Sequence, residues 1–206
     1  MIKLAVFDCD GTLFDTRMDI ADSVNYARRH FQLPEMAVEE VTSFVGNGVR
    51  VLAEKTFAGT GINAGAALGK IMEFYSRHSS EKAVPYPGVR ETLPLLKNTL
   101  AVISNKPEAL LNDLLAKHGL KHYFQEVIGG DTFPKRKPDP APLLHLMARQ
   151  GVDQGETIVI GDHSPDIEMA RSAGVRSIYC NYGFFGRDTT GADYHIASFS
   201  EILDIL

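Results

Sequence analysis

Residues 2–7, Ile2-Lys3-Leu4-Ala5-Val6-Phe7, make a short, nearly continuous apolar run that stops abruptly at Asp8-Cys9-Asp10-Gly11-Thr12. A strand wet on one face would alternate apolar and polar residues. A run without that alternation fits a strand covered on both faces, as in the interior of a parallel sheet. Helical spacing over 89–97 leads to an apolar strand at 100–103, and then to a helix at 107–117 and a strand at 126–129. A helix at 140–150, a strand at 157–160, a helix at 166–173 and a strand at 176–180 complete the series. Five strands with helices between them predict a right-handed, doubly wound (Rossmann-like) α/β core with a parallel sheet.

The stretch that follows the first strand has a different character. Ile20, Val24, Ala27 and Phe31 recur at helical spacing, and Leu33-Pro34 interrupts them. Residues 38–45, residues 49–57 and the set Leu68, Ile71, Met72 and Tyr75 suit further amphipathic helices, separated by Gly46-Asn47-Gly48 and Gly59-Thr60-Gly61. The expected organisation is an α/β core domain from residues 1–14 and 82–206, with an all-helical cap domain inserted at 15–81. A length of 206 residues, long for one domain, agrees with a core plus a smaller unit.

Composition sets limits on function. With 44% hydrophobic and 23% charged residues the chain can bury a sizeable core, which excludes disordered and fibrous classes. A formal net charge of −5 argues against a dedicated nucleic-acid binder. No apolar run approaches about 18 residues, so no membrane segment is expected, and the N-terminus reaches an acid too early for a signal peptide. Cys9 and Cys180 lie far apart within apolar stretches, the habit of reduced, buried thiols, which makes a cytoplasmic home the default.

In an open parallel sheet, ligands bind beyond the carboxyl ends of the strands, near the point where strand order reverses. The first strand ends in Asp8 and Asp10, the second in Ser104-Asn105-Lys106 and the fourth in Gly161-Asp162, with Asp166 about one helical turn later. Carboxylates brought together from separate strands repel one another and raise their own pKa values unless a cation holds them. An all-oxygen set without His or Cys pairs nearby suits magnesium rather than zinc. Each piece also has an ordinary reading. Asp-x-Asp-Gly-Thr is good turn sequence, Ser104-Asn105-Lys106-Pro107 could cap a helix, Lys137-Pro138 could carry a solvated lysine, and Gly161-Asp162 could start a helix. Coincidence of all four on one sheet edge is the poorer explanation.

Asp8-Cys9-Asp10-Gly11-Thr12-Leu13, Ser104-Asn105-Lys106, Lys137-Pro138 and Gly161-Asp162 with Asp166 resemble the four ordered motifs of the haloacid dehalogenase superfamily. The resemblance spans nearly the whole chain, the helical insert included. It is closest to the phosphoglycolate phosphatase branch. The carrying residues are Asp15-Thr16 with Asp19, Phe44-Val45-Gly46-Asn47-Gly48, Pro85-Tyr86-Pro87-Gly88 and Gly129-Gly130-Asp131-Thr132.

The resemblance implies a magnesium-dependent phosphatase acting on a small phosphorylated metabolite. Asp8 is the implied nucleophile, forming an aspartyl-phosphate, and Asp10 the acid and base. Ser104, Asn105 and Lys137 are the implied phosphate contacts. The implied metal set is Asp8, Asp10 through its backbone carbonyl, Asp162 and, in support, Asp166. Arg17 and Arg50 are candidate cap contacts to the substrate, with surface solvation as the ordinary alternative. His163 departs from the small hydroxyl residue common after Gly-Asp in the superfamily and bears on the metal geometry.

A dehalogenase is disfavoured because Asp10 is present. A phosphonatase lacks a recognisable cap lysine, since neither Lys55 nor Lys70 stands in a matching setting. A mutase of the β-phosphoglucomutase kind would carry a histidine near Ile20. Pyrophosphatase and nucleotide or sugar phosphatase remain alternatives, as does, from another class, a non-catalytic regulatory binding protein on the same fold. Oligomeric state, monomer or homodimer, is open.

Overall fold

The computed structural model describes residues 1–186 and 191–206. Its elements run β1 (Leu4–Phe7), β2 (Phe14–Asp15), α1 (Arg17–His30), α2 (Val38–Thr42), α3 (Val49–Thr56), α4 (Ala64–His78) and β3 (Val84–Pro85). They continue through α5 (Val89–Thr92), β4 (Thr99–Ile103), α6 (Glu108–Lys117), β5 (Glu126–Ile128) and α7 (Ala141–Gln150). The last are β6 (Thr157–Gly161), α8 (Ser164–Ser172), β7 (Arg176–Cys180) and β8 (Tyr194–Ile196). The chain divides into two compact units, Met1–Asp15 with Pro85–Leu206, and Thr16–Val84.

The larger unit is built on a parallel six-stranded sheet in the order β5-β4-β1-β6-β7-β8. All four residues of β1 and all five of β6 are buried, so the apolar run does lie in the sheet interior. Leu4 and Val6 point to one face and meet Ala101, Ile103, Val159, α7 (Leu143, Leu146, Met147) and α8 (Met169, Ala170) in one cluster. Phe7 points to the other face, where it contacts the rings of Phe124 and Phe199 with centroids 6.1 Å and 5.9 Å apart. The alternation of side chains along a strand thus feeds two apolar layers at once.

From β1 the chain fills one side of the sheet with β4 and β5, then crosses to β6 on the other. Strand order therefore reverses beside β1. Phe7 lies in register with Val102 and Ile160, so the residues after these three strands emerge at one level.

Three sequence expectations change. The sheet has a sixth strand, β8, three residues long. Of its residues only Ile196 is buried, so it carries too little apolar pattern to be recognised. The expected helix at 89–97 is α5 followed by a 3₁₀ turn, Leu93–Leu95, because Pro94 has no N–H for the helical ladder. Helix α8 begins at Ser164, two residues before the expected start, with Pro165 in its first turn.

The smaller unit contains α1 to α4. Asn63 caps α4 by accepting from Gly65 N–H at 2.8 Å, and the rings of Tyr26 and Phe74 stack 4.9 Å apart between α1 and α4. Asp19, 2% exposed, accepts from the N–H groups of Lys82 and Ala83 at 2.9 Å and 2.8 Å, which ties the end of this unit back to α1. Among the described residues no helix is long and apolar enough to cross a membrane.

Candidate active site

Asp8 leaves β1 with its backbone N–H donating to the Ile160 carbonyl at 2.9 Å, which extends the ladder by one residue and fixes where the side chain starts. Asp162 follows β6 and Asp166 lies in the first turn of α8. One carboxylate oxygen from each of Asp8, Asp162 and Asp166 falls within 4.8 Å of the others. Lys137, 4% exposed, reaches the cluster from the loop before α7. Its Nζ lies 2.7 Å from Asp8 Oδ1 and 2.6 Å from Asp166 Oδ1. The second Asp166 oxygen accepts from the His163 N–H at 3.2 Å. Asp166 thus holds both the lysine and the start of α8.

Asp162 is fully buried, and neutral groups hold it. The Thr12 hydroxyl donates to Oδ1 at 3.1 Å and the Phe184 N–H donates to Oδ2 at 2.8 Å. Two glycines make room for it. A Cβ on Gly11, where φ is +91°, would lie 2.2 Å from Asp162 Oδ2, and one on Gly183 would lie 2.3 Å from Asp162 Cβ. Tyr182 completes the support, its hydroxyl donating to the Thr12 carbonyl at 2.9 Å. Gly183→Ala should therefore displace Asp162. We expect a loss of about 1–3 kcal/mol, as for other overpacked sites. Thermal melts are the check, and an unchanged melting temperature would refute the cradle.

Burial dominates the electrostatics. It pushes the Asp8 carboxyl up from 3.8 to about 6, with Lys137 opposing and Asp166 adding to the rise. Burial, then Asp8 and Asp166, push Asp162 well above the carboxylate range against its two hydrogen bonds. Burial lowers Lys137, but Asp166 and Asp8 together outweigh it and hold the ammonium above its ordinary value. The upward shifts of Asp8 and Lys137 pull opposite ways on their shared ion pair. Both stand, because the lysine faces two carboxylates whereas Asp8 faces one lysine and a neighbouring acid. The upward shifts mark acids whose ionised forms lack a counter-charge beyond one lysine, and the donors are all carboxylate oxygens. The set fits a hard divalent cation such as magnesium, with Asp8, Asp162 and Asp166 as the residues able to hold it.

The remaining candidates are distributed unevenly. Ser104, 4% exposed, follows β4, with its N–H on the Ile128 carbonyl at 3.0 Å. Asn105 donates from Nδ2 to the Lys137 carbonyl at 3.0 Å, so its amide steadies the lysine's main chain. The Asp10 carboxylate lies outside the three-acid cluster and pairs with Lys106 at 3.1 Å. Arg17 and Arg50 are exposed on α1 and α3 of the helical unit. The His163 ring stacks on Phe185, centroids 3.9 Å apart.

Sequence reasoning gave no role to Thr12, Lys106, Tyr182 or Gly183. Thr12 and Lys106 lie inside the motifs, and that is their only signal. Tyr182 and Gly183 follow the last expected strand and carried none. Cys9 and Cys180 are buried free thiols, both pushed up by burial, with no part in the cluster.

Residues 5–180 match the family described as haloacid dehalogenase-like hydrolase. A phosphoglycolate phosphatase of Chromobacterium violaceum is 35% identical, the alignment covering 100% of this chain and 96% of the relative. One of Pseudomonas putida is 38% identical over 88% of this chain and 70% of its own. Among solved structures, a protein of Haemophilus somnus described as a predicted phosphoglycolate phosphatase superposes with a TM-score of 0.94. It is 30% identical, with 99% of this chain and 97% of that one covered. The chain belongs to the haloacid dehalogenase-like hydrolase family. Within that family its reaction class is that of a phosphatase.

Proposed function

We propose that the chain hydrolyses a small phosphate monoester through a phosphoryl group carried on Asp8, with 2-phosphoglycolate the first candidate substrate. The observation that carries this reading is the buried Asp8 carboxyl, 2.7 Å from Lys137 and clustered with Asp162 and Asp166 at the switch point of the sheet. The substrate rests on the names of the relatives.

In the first step an Asp8 oxygen bonds to phosphorus and the bond from phosphorus to the alcohol oxygen breaks. Asp10 gives that oxygen a proton. In the second step water bonds to phosphorus, Asp10 takes the water's proton, and the bond from phosphorus to Asp8 breaks, which returns the enzyme to its starting state. Lys137 and the Ser104 hydroxyl bind the phosphoryl oxygens, Lys137 as a compact charge and Ser104 as a neutral donor, while Asn105 keeps Lys137 in place. Magnesium held by Asp8, Asp162, Asp166 and the backbone carbonyl of Asp10 would neutralise charge on the phosphoryl oxygens. The helical unit serves as the cap, with Arg17 and Arg50 as contacts for the alcohol portion. The two buried free thiols agree with a reducing, cytoplasmic setting.

The test is a kcat/KM screen of phosphorylated metabolites with and without magnesium, including 2-phosphoglycolate, pyrophosphate, nucleotides and sugar phosphates. Preference for 2-phosphoglycolate supports the substrate. A stronger preference elsewhere replaces it, and no turnover of any ester rejects the reading. Asp10→Asn should slow alkyl phosphate hydrolysis by about 10²–10⁴-fold with the fold intact. Near-normal turnover would remove Asp10 from its role.

A further inference from the structure

Lys106 is an unusual lysine. Its side chain is 1% exposed, and its Nζ lies 3.1 Å from Asp10 Oδ1. A buried ammonium loses its hydration and persists only where a well-placed anion answers it, so neither partner is surface decoration. The main chain around it is fixed as well. The Lys106 carbonyl accepts from the Gly130 N–H at 2.8 Å, and the Ser104 N–H binds the Ile128 carbonyl.

The Gly129-Gly130-Asp131-Thr132 loop presses closely on this segment. A Cβ on Gly130 would lie 2.5 Å from the Asn105 carbonyl oxygen, and one on Gly129 would lie 2.3 Å from the Glu108 nitrogen. Asp131 Oδ1 accepts from that same Glu108 N–H at 2.7 Å. The lysine therefore projects from a backbone clamped on both sides. The main chain of Asp10, three residues past the end of β1, is held too, by a bridge to Phe14 and by the Gly11 N–H on the Phe14 carbonyl at 2.8 Å. With both main chains held, the freedom left in the pair is rotation of the Asp10 carboxyl, and Lys106 addresses it.

We infer that Lys106 is a positioning residue for ester cleavage: its ammonium, 3.1 Å from Asp10 Oδ1, sets the plane of the Asp10 carboxyl so that Asp10 can serve the leaving oxygen. The inference rests on the acid role proposed above for Asp10. Rotation of the carboxyl about its Cβ–Cγ bond breaks the pair, so the pair restricts that rotation. Placement matters because proton transfer needs a heavy-atom approach of about 2.6–3.2 Å. Lys106 and Lys137 thus divide the work, one addressing the acid and the other the nucleophile and phosphate.

The consequence is a dependence on the leaving group. An alkoxide needs its proton as it departs, whereas p-nitrophenolate leaves without one. The quantity to measure is kcat/KM, which reports steps through departure of the alcohol, for p-nitrophenyl phosphate, an alkyl phosphate with an uncharged alcohol, and 2-phosphoglycolate. For Lys106→Met, both alkyl esters should fall about 10²-fold while the aryl ester falls less than about 10-fold. Lys106→Arg, which keeps the charge, should hold the ratio of alkyl to aryl closer to wild type. The ratio comes from one preparation, so a partly misfolded variant does not distort it.

Equal loss on all three esters makes Lys106 merely structural and overturns the inference. Loss confined to 2-phosphoglycolate makes it a substrate contact and overturns it equally. Asp10→Asn separates the two levels of the argument. If it shows no leaving-group dependence, the acid role itself is wrong. If it shows the dependence and Lys106→Met does not, only the positioning role falls.

Discussion

Asp8→Asn should lower phosphate release roughly 10⁴-fold or more, as expected for loss of the nucleophile proposed above, and at the same time change how stability depends on pH. The second effect follows from the sign of the shift. Asp8 titrates at about 6 in the folded protein against 3.8 as its ordinary value. Between those values the folded state keeps a proton that the unfolded chain has released, so metal-free protein loses stability as pH rises through that window. Two pH units correspond to about 3 kcal/mol. Asn cannot ionise and escapes this loss. Without metal, the variant should gain on wild type from pH 4 to 6 and hold a constant margin above that.

Taking the difference between the two proteins cancels the exposed carboxylates such as Glu156 and Glu73, whose pairing lowers their pKa values and tilts stability the other way. Magnesium should reverse the order at neutral pH, because it stabilises whichever protein binds it more tightly. Denaturant unfolding at a series of pH values, with chelator and then with magnesium, reads all of this. A margin that does not change with pH would mean that Asp8 is not strained by burial.

Lys137→Met is expected to have the second largest effect, and it strikes stability and rate together. Its ammonium is the charge that Asp8 and Asp166 share, at 2.7 Å and 2.6 Å. Removing one partner from a buried cluster leaves uncompensated charge, which costs about 3–5 kcal/mol. Loss of the charged contact to the transferring phosphate proposed above should lower kcat by about 10²–10³-fold besides. The stability deficit should shrink in magnesium or at low pH, where the acids are neutralised by another route, while the rate deficit persists. Thermal melts at pH 5 and pH 8 with phosphate-release assays test both. A deficit independent of pH and magnesium would point to lost packing instead.

The parts legible in the sequence share one property: they are local. The β1 run announced a two-faced strand because its six residues carry that pattern themselves, and the same holds for β4, β6 and β7. The candidate acids were legible because strand ends in a parallel sheet face one way, so Asp8, Ser104 and Asp162 were assigned one edge from element order alone. Helix ends were less secure. Pro94 and Pro165 shifted two of them, since a missing N–H can end a helix or open one depending on what packs against it. Strand β8 was invisible because pairing with β7, and not its own three residues, makes it a strand.

By itself, then, the sequence determined the alternation of strands and helices, the helical stretch after the first strand, and the motif residues at the sheet edge. Only the tertiary structure decided what those residues do to one another. It gave Asp166 to Lys137, Asn105 to the Lys137 carbonyl, Thr12 and the Phe184 N–H to Asp162, and Lys106 to Asp10. These pairs lie between 22 and 150 positions apart along the chain. The reason is physical. A strand or a helix follows from neighbours whose spacing the chain itself fixes, whereas a buried ion pair needs distances of about 3 Å between distant residues. That scale is set by how the whole core packs.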